Sequence, residues 1–188
     1  MAPLMNGPTF SDQPSENVIL KKNASKEHEI IMLGPIKLEV LEDGRSTDNR
    51  VSIVKIYLPP RLPGPVQHWH QMHDETFLVI KGTATFYSRD SKFEAGEGDL
   101  VVVPPLSPHT FGNESDGDVV MLNTFTPAFY INYFRLMAEM MKKVASDGKI
   151  TPGIASRAML QYATIPVPPD HDWNNAEQNP GKEPKNFQ

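Results

Sequence analysis

The 188-residue sequence contains no cysteine. This absence excludes disulfide bonds, thiolate metal ligands and cysteine nucleophiles. Any metal ion bound by the chain must therefore be held by imidazole and carboxylate groups.

Positive charge is also scarce, because 18 lysines and arginines stand against 23 aspartates and glutamates, for a formal net charge of −5. The basic clusters are only the pairs Lys21-Lys22 and Lys142-Lys143. Phosphate binding needs clustered basic side chains, so the sequence predicts no nucleic-acid partner.

Long apolar runs are missing as well, and no stretch approaches the roughly 20 apolar residues of a membrane span. Residues 1–17 lack a basic start followed by an apolar run, so no secretory signal and a cytoplasmic location are predicted. A glycine-rich phosphate loop, a serine-centred nucleophile elbow and a dinucleotide fingerprint are absent too. Any chemistry is therefore expected to depend on a metal.

The length suits one domain with a single core. Short alternating segments such as Ile36 to Leu41 recur at regular turn spacing, which predicts an all-β sandwich or barrel over residues 17–126. A poorly ordered tail is predicted for residues 1–16.

From Pro127 the apolar spacing changes to three and four residues, which predicts an amphipathic helix with Thr126 as its N-cap. Its stripe of methionine and aromatic residues is expected to cover the barrel or a dimer seam, with a binding face as the alternative. A second helix is predicted from Pro152 to about Tyr162, which completes a helical extension over residues 127–163. Residues 164–188 are rich in proline and polar residues and are predicted to be a mobile tail.

Three histidines and one glutamate form the main chemical pattern. His68 and His70 are two residues apart, so on a strand both side chains leave the same face. Glu75 would begin the inward face of the next strand with Phe77, and His109 follows a run of valines downstream. Their joint register predicts a metal site, since converging histidines are common metal ligands.

These two stretches resemble the motifs of the cupin family. The first motif corresponds to His68, His70, Glu75 and Gly82, and the second to Gly98, Pro104, His109 and Asn113. The family usually has glycine where this chain has Leu106, and Pro105 is expected to supply the turn. The resemblance covers roughly residues 38–126 and implies an all-β cupin jelly-roll barrel with C-terminal α-helices packed outside.

The resemblance implies a divalent transition metal bound by His68, His70, Glu75 and His109. Iron(II) is the first expectation, and manganese, nickel, copper and zinc stay open. Similarity to small cupin dioxygenases implies an oxidoreductase acting on a small aromatic, enol or dicarbonyl substrate. Decarboxylation, isomerisation or cyclisation at the same site is a second hypothesis, and a non-catalytic small-molecule binding module is a third.

Further site residues are predicted around the metal. Glu75 could also act as a base, while His73 is either a proton shuttle or, in preference, a loop residue facing solvent. The predicted substrate pocket comprises Lys55, Phe77, Phe111, Asn113 and Phe125, with ordinary core packing as the alternative for the three phenylalanines. Lys55 faces inward if Arg50 and Ser52 face solvent, and it would then favour an anionic substrate; a position at the barrel rim is the preferred alternative. A homodimer is expected, with the region from Val18 to Leu33 crossing to the neighbour.

Overall fold

The computed structural model describes residues 29–147, 152–168 and 170–173. The strands are β1 (Ile30–Leu33), β2 (Ile36–Glu42), β3 (Ser52–Leu58), β4 (His68–His70), β5 (Asp74–Lys81), β6 (Ala84–Ser88), β7 (Ser91–Ala95), β8 (Leu100–Val103), β9 (Thr110–Gly112), β10 (Val119–Thr126) and β11 (Thr164–Pro166). The helices are α1 (Ile131–Asp147) and α2 (Pro152–Gln161), and a 3₁₀ turn, Ala128–Tyr130, precedes α1.

The strands form antiparallel sheets. One has six strands in the order β1-β2-β3-β10-β5-β8, a second has the order β7-β6-β9, and β4 pairs with β11. This is the all-β fold with C-terminal helices that the sequence predicts. The site described below lies where β4, β5 and the start of β9 approach one another.

The core lies on the inner face of the large sheet. Along β5 the side chains of Glu75, Phe77 and Val79 are buried in alternation, as the sequence predicts. The Phe77 ring lies 5.3 Å from Phe86 and 5.0 Å from Phe111, measured between ring centroids. Burial of each such ring contributes on the order of 1.5–3 kcal/mol, so these aromatic contacts hold the two sheets together.

The alternative in which Lys55 faces into the barrel is wrong. In β3 the buried residues are Ser52, Val54, Ile56 and Leu58, and Lys55 lies half-buried on the opposite face. There Lys55 is in register with Glu39 of β2. Both faces of this strand are rich in apolar residues, so its position between β2 and β10 decides which face packs inward.

Helix α1 covers the barrel. Tyr133 and Phe134 pack against the core, which confirms the predicted packing of its apolar stripe. The 3₁₀ turn precedes the α-helix with Pro127 as its N-cap, so Thr126 does not cap the helix as predicted. Neither helix in the described part of the chain is long and apolar enough to be a membrane span.

The C-terminal segment differs from the sequence prediction. Thr164–Pro166, assigned to a mobile tail, form β11 and pair with the histidine strand β4. The predicted tails over residues 1–16 and beyond residue 173 lie outside the described residues, as does most of the segment expected to cross between subunits. The homodimer and the cytoplasmic location stay predictions.

Candidate metal centre

Strand pairing brings the three predicted histidine ligands together. His68 and His70 are both buried in β4 and project from the same side of this short strand. His109 precedes β9 and forms an antiparallel bridge with His68. The backbone N–H of His68 donates to the oxygen of His109 at 3.0 Å, and the N–H of His109 donates back at 2.8 Å.

The donor atoms of these residues converge. One ring nitrogen from each of His68, His70 and His109 lies within 4.8 Å of the others. Glu75 places its Oε2 atom 3.1 Å from Nε2 of His70 and 3.1 Å from Nε2 of His109. The three histidines therefore converge inside the barrel, and Glu75 joins them through His70 and His109.

Hydrogen bonds on the far side of each ring orient the imidazoles. Nδ1 of His68 lies 2.8 Å from the carbonyl oxygen of Val66, and Nδ1 of His109 lies 3.0 Å from that of Ser107. A carbonyl can only accept, so each of these Nδ1 atoms carries a proton, and in the neutral ring Nε2 keeps its lone pair. Metal-binding histidines are held in this way by a partner on the second nitrogen.

Burial keeps the rings of His68 and His70 neutral. It lowers the pKa of His68 well below 6.5, and the adjacent His109 and His70 lower it further. The pKa of His70 is also lowered by burial. A neutral imidazole is the form that binds a metal, so both side chains are ready for coordination at neutral pH.

Glu75 supplies the negative charge of the site. Burial alone would raise the pKa of its carboxyl, but the close contacts with His109 and His70 outweigh this effect and hold that pKa well below 4.5. Nδ2 of Asn123 donates to the second carboxylate oxygen, Oε1, at 3.0 Å and to the backbone oxygen of Thr76 at 2.9 Å. Asn123 thus fixes the carboxylate, although no local sequence pattern indicates this role.

His73 does not face solvent, contrary to the preferred sequence interpretation, since it is only 1% exposed. Its ring centroid lies 3.9 Å from that of His70 and 4.3 Å from that of Tyr130. Neither ring nitrogen has a hydrogen-bond partner in the structure, and burial lowers the pKa of His73 to about 3. A role for His73 as a proton shuttle therefore has no support.

His73, His70 and Glu75 form a second group whose possible donor atoms lie within 4.8 Å of one another. The ring centroids of His68 and His109 lie 4.8 and 5.1 Å from that of His70, but the described ring contacts include none between either of them and His73. We therefore assign His73 to the packing behind His70.

Three imidazoles and a carboxylate form a donor set that fits a divalent transition metal. His68, His70, Glu75 and His109 would hold the ion.

An apolar cavity of about 300 Å³ adjoins this centre. Its polar lining includes His68, Glu75 and Asn123, and its apolar wall includes Leu38, Ile56, Phe111, Phe134 and Met137. Of the predicted pocket residues, Phe111 is part of this lining. Phe77 and Phe125 are fully buried core residues outside it, and Lys55 faces away.

Asn113 has a structural role that differs from the predicted one. Its Nδ2 donates to the backbone oxygens of Leu58, Pro59 and Gly117, at 3.1, 2.9 and 2.7 Å. Its Oδ1 accepts a hydrogen bond from the Ser115 N–H at 3.0 Å. Asn113 therefore joins loops at one end of the barrel and does not orient a metal ligand.

The turn at Leu106 shows how the chain replaces the expected glycine. Ser107 N–H donates to the oxygen of Pro104 at 3.2 Å, and Leu106 has φ of 66°, in the left-handed region. Pro105 thus precedes a residue in the conformation that glycine adopts most readily. Leu106 N–H also donates to the oxygen of His70 at 2.7 Å, which ties this turn to β4.

The family comparison agrees with this geometry. The sequence profile described as "Cupin domain" matches residues 55–125, which include all four converging side chains. Residues 55–125 are a cupin domain. This match confirms the expected resemblance and barrel fold. The matched residues do not include β1, β2, β11 or the two helices.

Two curated relatives match the chain. An uncharacterized protein of Aquifex aeolicus is 26% identical over 99 residues, which are 48% of this chain and 81% of that protein. Quercetin 2,3-dioxygenase of Bacillus subtilis is 23% identical over 115 residues, or 61% of this chain. The match spans only 34% of the dioxygenase.

Solved structures also share the fold of the cupin domain. One is a predicted oxalate decarboxylase from Thermotoga maritima, which is 16% identical and has a TM-score of 0.51. The match covers 58% of this chain and 99% of that protein. At this identity the likeness supports the fold alone.

Proposed function

We propose that this chain is a metal-dependent cupin enzyme that acts on a small organic substrate, as a dioxygenase of an aromatic, enol or dicarbonyl compound. The observation that carries the proposal is the convergence of His68, His70, His109 and Glu75 beside an apolar cavity. Glu75 and His68 line the cavity, so a ligand there lies next to the proposed metal ligands. Substrate sites in proteins commonly combine such an apolar wall with a few polar groups.

The lining favours an uncharged or largely apolar substrate. Among the described residues that surround the cavity, none is a lysine or an arginine. A phosphate or a dicarboxylate would therefore find no side-chain cation in the cavity lining. Because Lys55 points away, the anionic substrate that an inward Lys55 would favour is no longer expected. Phe111, Tyr133 and Phe134 offer aromatic surface to a flat ring.

The chain's own groups would bind and orient this substrate. A bound divalent metal supplies Lewis-acid chemistry and, if it is redox-active, electron-transfer chemistry. Glu75 lines the cavity, and its carboxylate can accept a hydrogen bond from an enol or phenol hydroxyl and so orient the substrate. Asn123 keeps Glu75 in place through its 3.0 Å hydrogen bond.

The test begins with the metal content of the purified wild-type chain. Iron, copper, nickel or manganese near one per chain would favour redox chemistry, whereas zinc alone would favour a lyase or isomerase. The loaded chain is then mixed with quercetin and with pentane-2,4-dione in an oxygen electrode. We expect metal-dependent oxygen uptake with at least one of them.

Two other outcomes would replace the dioxygenase proposal. Conversion of a substrate without oxygen uptake would indicate decarboxylase, isomerase or cyclase chemistry at the same residues. Tight ligand binding with neither conversion nor oxygen uptake would indicate a binding module.

The cavity predicts the effect of a bulky residue on α1. Met137 lines the apolar wall, so Met137→Trp should fill space that the substrate needs. A steric clash that costs the bound ligand about 1–3 kcal/mol corresponds to roughly 5- to 150-fold weaker binding. We expect KM to rise by that factor, or quercetin to bind that much more weakly, while the metal content stays unchanged.

Glu139→Trp is the matched control, because Glu139 is an exposed residue of the same helix. It should leave both the metal content and KM unchanged. Equal substrate affinity in the Met137→Trp variant and in wild type would exclude this cavity as the substrate site.

A further inference from the structure

The C-terminal strand β11 lies against the strand that carries two proposed metal ligands. In this antiparallel pair Thr164 is opposite His70, Ile165 opposite Trp69 and Pro166 opposite His68. Directly opposed residues of antiparallel strands project from the same face. The register therefore brings the Thr164 side chain to His70, and a shift by one residue would place Ile165 there instead.

The pairing of β11 with β4 continues beyond these three residues. Gln71 N–H donates to the oxygen of Ala163 at 2.9 Å, and Val167 N–H donates to the oxygen of Gln67 at 2.8 Å. These hydrogen bonds hold both ends of the segment. Thr164 itself is fully buried, with no exposed surface.

The Thr164 hydroxyl completes the environment of His70. Its Oγ1 lies 2.9 Å from Nδ1 of His70, in a buried position. The same hydroxyl can donate to Oη of Tyr130 at 3.3 Å or to the backbone oxygen of Tyr162 at 3.4 Å. With its proton directed to either oxygen, Oγ1 is an acceptor for a proton on Nδ1 of His70.

His70 differs in this respect from the other two histidines. Nδ1 of His68 and of His109 faces a backbone carbonyl, which the cupin domain supplies from a neighbouring residue. Nδ1 of His70 faces a side chain 94 residues away in the sequence, outside the matched domain. A hydroxyl is the only side-chain group that the described contacts offer to this nitrogen.

We propose that Thr164 is a positioning residue of the metal centre, which holds His70 with its proton on Nδ1 and its Nε2 lone pair directed toward the metal. The inference rests on the proposed metal function of His68, His70, Glu75 and His109. The C-terminal extension would thus help to orient a metal ligand. Loss of such an outer partner typically weakens metal binding.

Cobalt(II) affinity of the full-length chain tests the proposal. Thr164→Val removes the hydroxyl and keeps the side-chain shape, while Thr164→Ser keeps the hydroxyl. Competition with a chelator should show about 10- to 100-fold weaker cobalt binding by Thr164→Val, with altered visible absorption bands. Thr164→Ser should restore both the affinity and the spectrum to near wild type.

Thr76→Val is the matched control. Its Oγ1 shares a 2.6 Å hydrogen bond with Thr124, and neither residue contacts a proposed ligand through its hydroxyl. The control should bind cobalt as wild type does. Wild-type affinity of Thr164→Val, or equally weak binding by Thr164→Ser, would overturn the role of the hydroxyl.

A measurement on the wild-type chain covers the case in which Thr164→Val does not fold. In the zinc-loaded chain, ¹⁵N NMR should show a His70 Nδ1 proton that exchanges slowly with water. An unprotonated Nδ1, or a proton exchanging as fast as that of an exposed imidazole, would overturn the proposal. Failure of the wild-type chain to bind cobalt or zinc would instead overturn the proposed metal function.

Discussion

Replacement of His109 by alanine is expected to abolish stoichiometric metal binding. The change removes one of three converging imidazoles and the 3.1 Å contact between Nε2 and Glu75. Loss of an outer partner alone weakens metal sites about 10- to 100-fold, and loss of a ligand should exceed this range. Elemental analysis after dialysis should therefore find metal in the wild-type chain and little in the variant.

The same loss is expected for His68→Ala and His70→Ala. His73→Ala should keep its metal, since His73 packs behind His70. His171→Ala provides a second imidazole control, because His171 lies beside Trp69 and Trp173 instead of in the cluster. Full metal content in His109→Ala would contradict the assignment of the second motif.

Folding must be controlled in the His109 experiment. Glu75 is buried, and removal of the partner of a buried charge destabilises a protein by about 3–5 kcal/mol. His109→Gln retains an amide that can donate to Glu75 and lacks the imidazole. A folded His109→Gln variant without metal would separate loss of the ligand from loss of the fold.

Acid should destabilise the metal-free chain through His73, and His73→Phe should remove this contribution. The folded pKa of His73 is about 3, below its ordinary value of 6.5, because the ring is buried. Between these values the unfolded chain binds the proton and the folded chain does not. The stability contributed by His73 is therefore complete above pH 6.5 and is lost as the pH falls toward 3.

The expected difference is large enough to measure. Each pH unit below 6.5 costs about 1.4 kcal/mol, so wild type should lose about 2 kcal/mol more than His73→Phe between about pH 7.5 and pH 5. Urea unfolding of both proteins at the two pH values gives this difference.

Phenylalanine suits this position, because the His73 ring lies among Phe125, Phe129 and Tyr130. Removal of two unpartnered buried nitrogens should also stabilise the variant by about 1–3 kcal/mol at neutral pH. His70 and Glu75 face His73 in both proteins, so their titration largely cancels in the comparison. The same pH dependence in wild type and His73→Phe would contradict the prediction.

Local sequence patterns predict the direction of side chains when that direction depends on a single strand. The period of two placed His68 and His70 on one face and put Glu75 and Phe77 inward, because alternation is a property of the strand itself. The period of two does not decide which way Lys55 points. Apolar residues occupy both faces of β3, so the choice of inner face depends on its pairing with β2 and β10.

Side chains that support the ligands could not be predicted from local patterns. Asn123 reaches Glu75 across 48 residues of sequence, and Thr164 reaches His70 across 94. Both contacts depend on which strands pair and in which register. A polar residue between two strands usually lies in an exposed turn, so the sequence favours a solvent-facing His73. In the structure Tyr130, from the 3₁₀ turn that follows β10, covers this ring.

The pairing of β4 with β11 also determines the order in which the chain can be assembled during synthesis. His68, His70, Glu75 and His109 have all been synthesised before Thr164 is added to the chain. The hydrogen bond to His70 and the pairing along β4 must form after translation has passed residue 164. A nascent chain that ends after β10 can thus carry all four proposed ligands while the strand bearing two of them still lacks its partner.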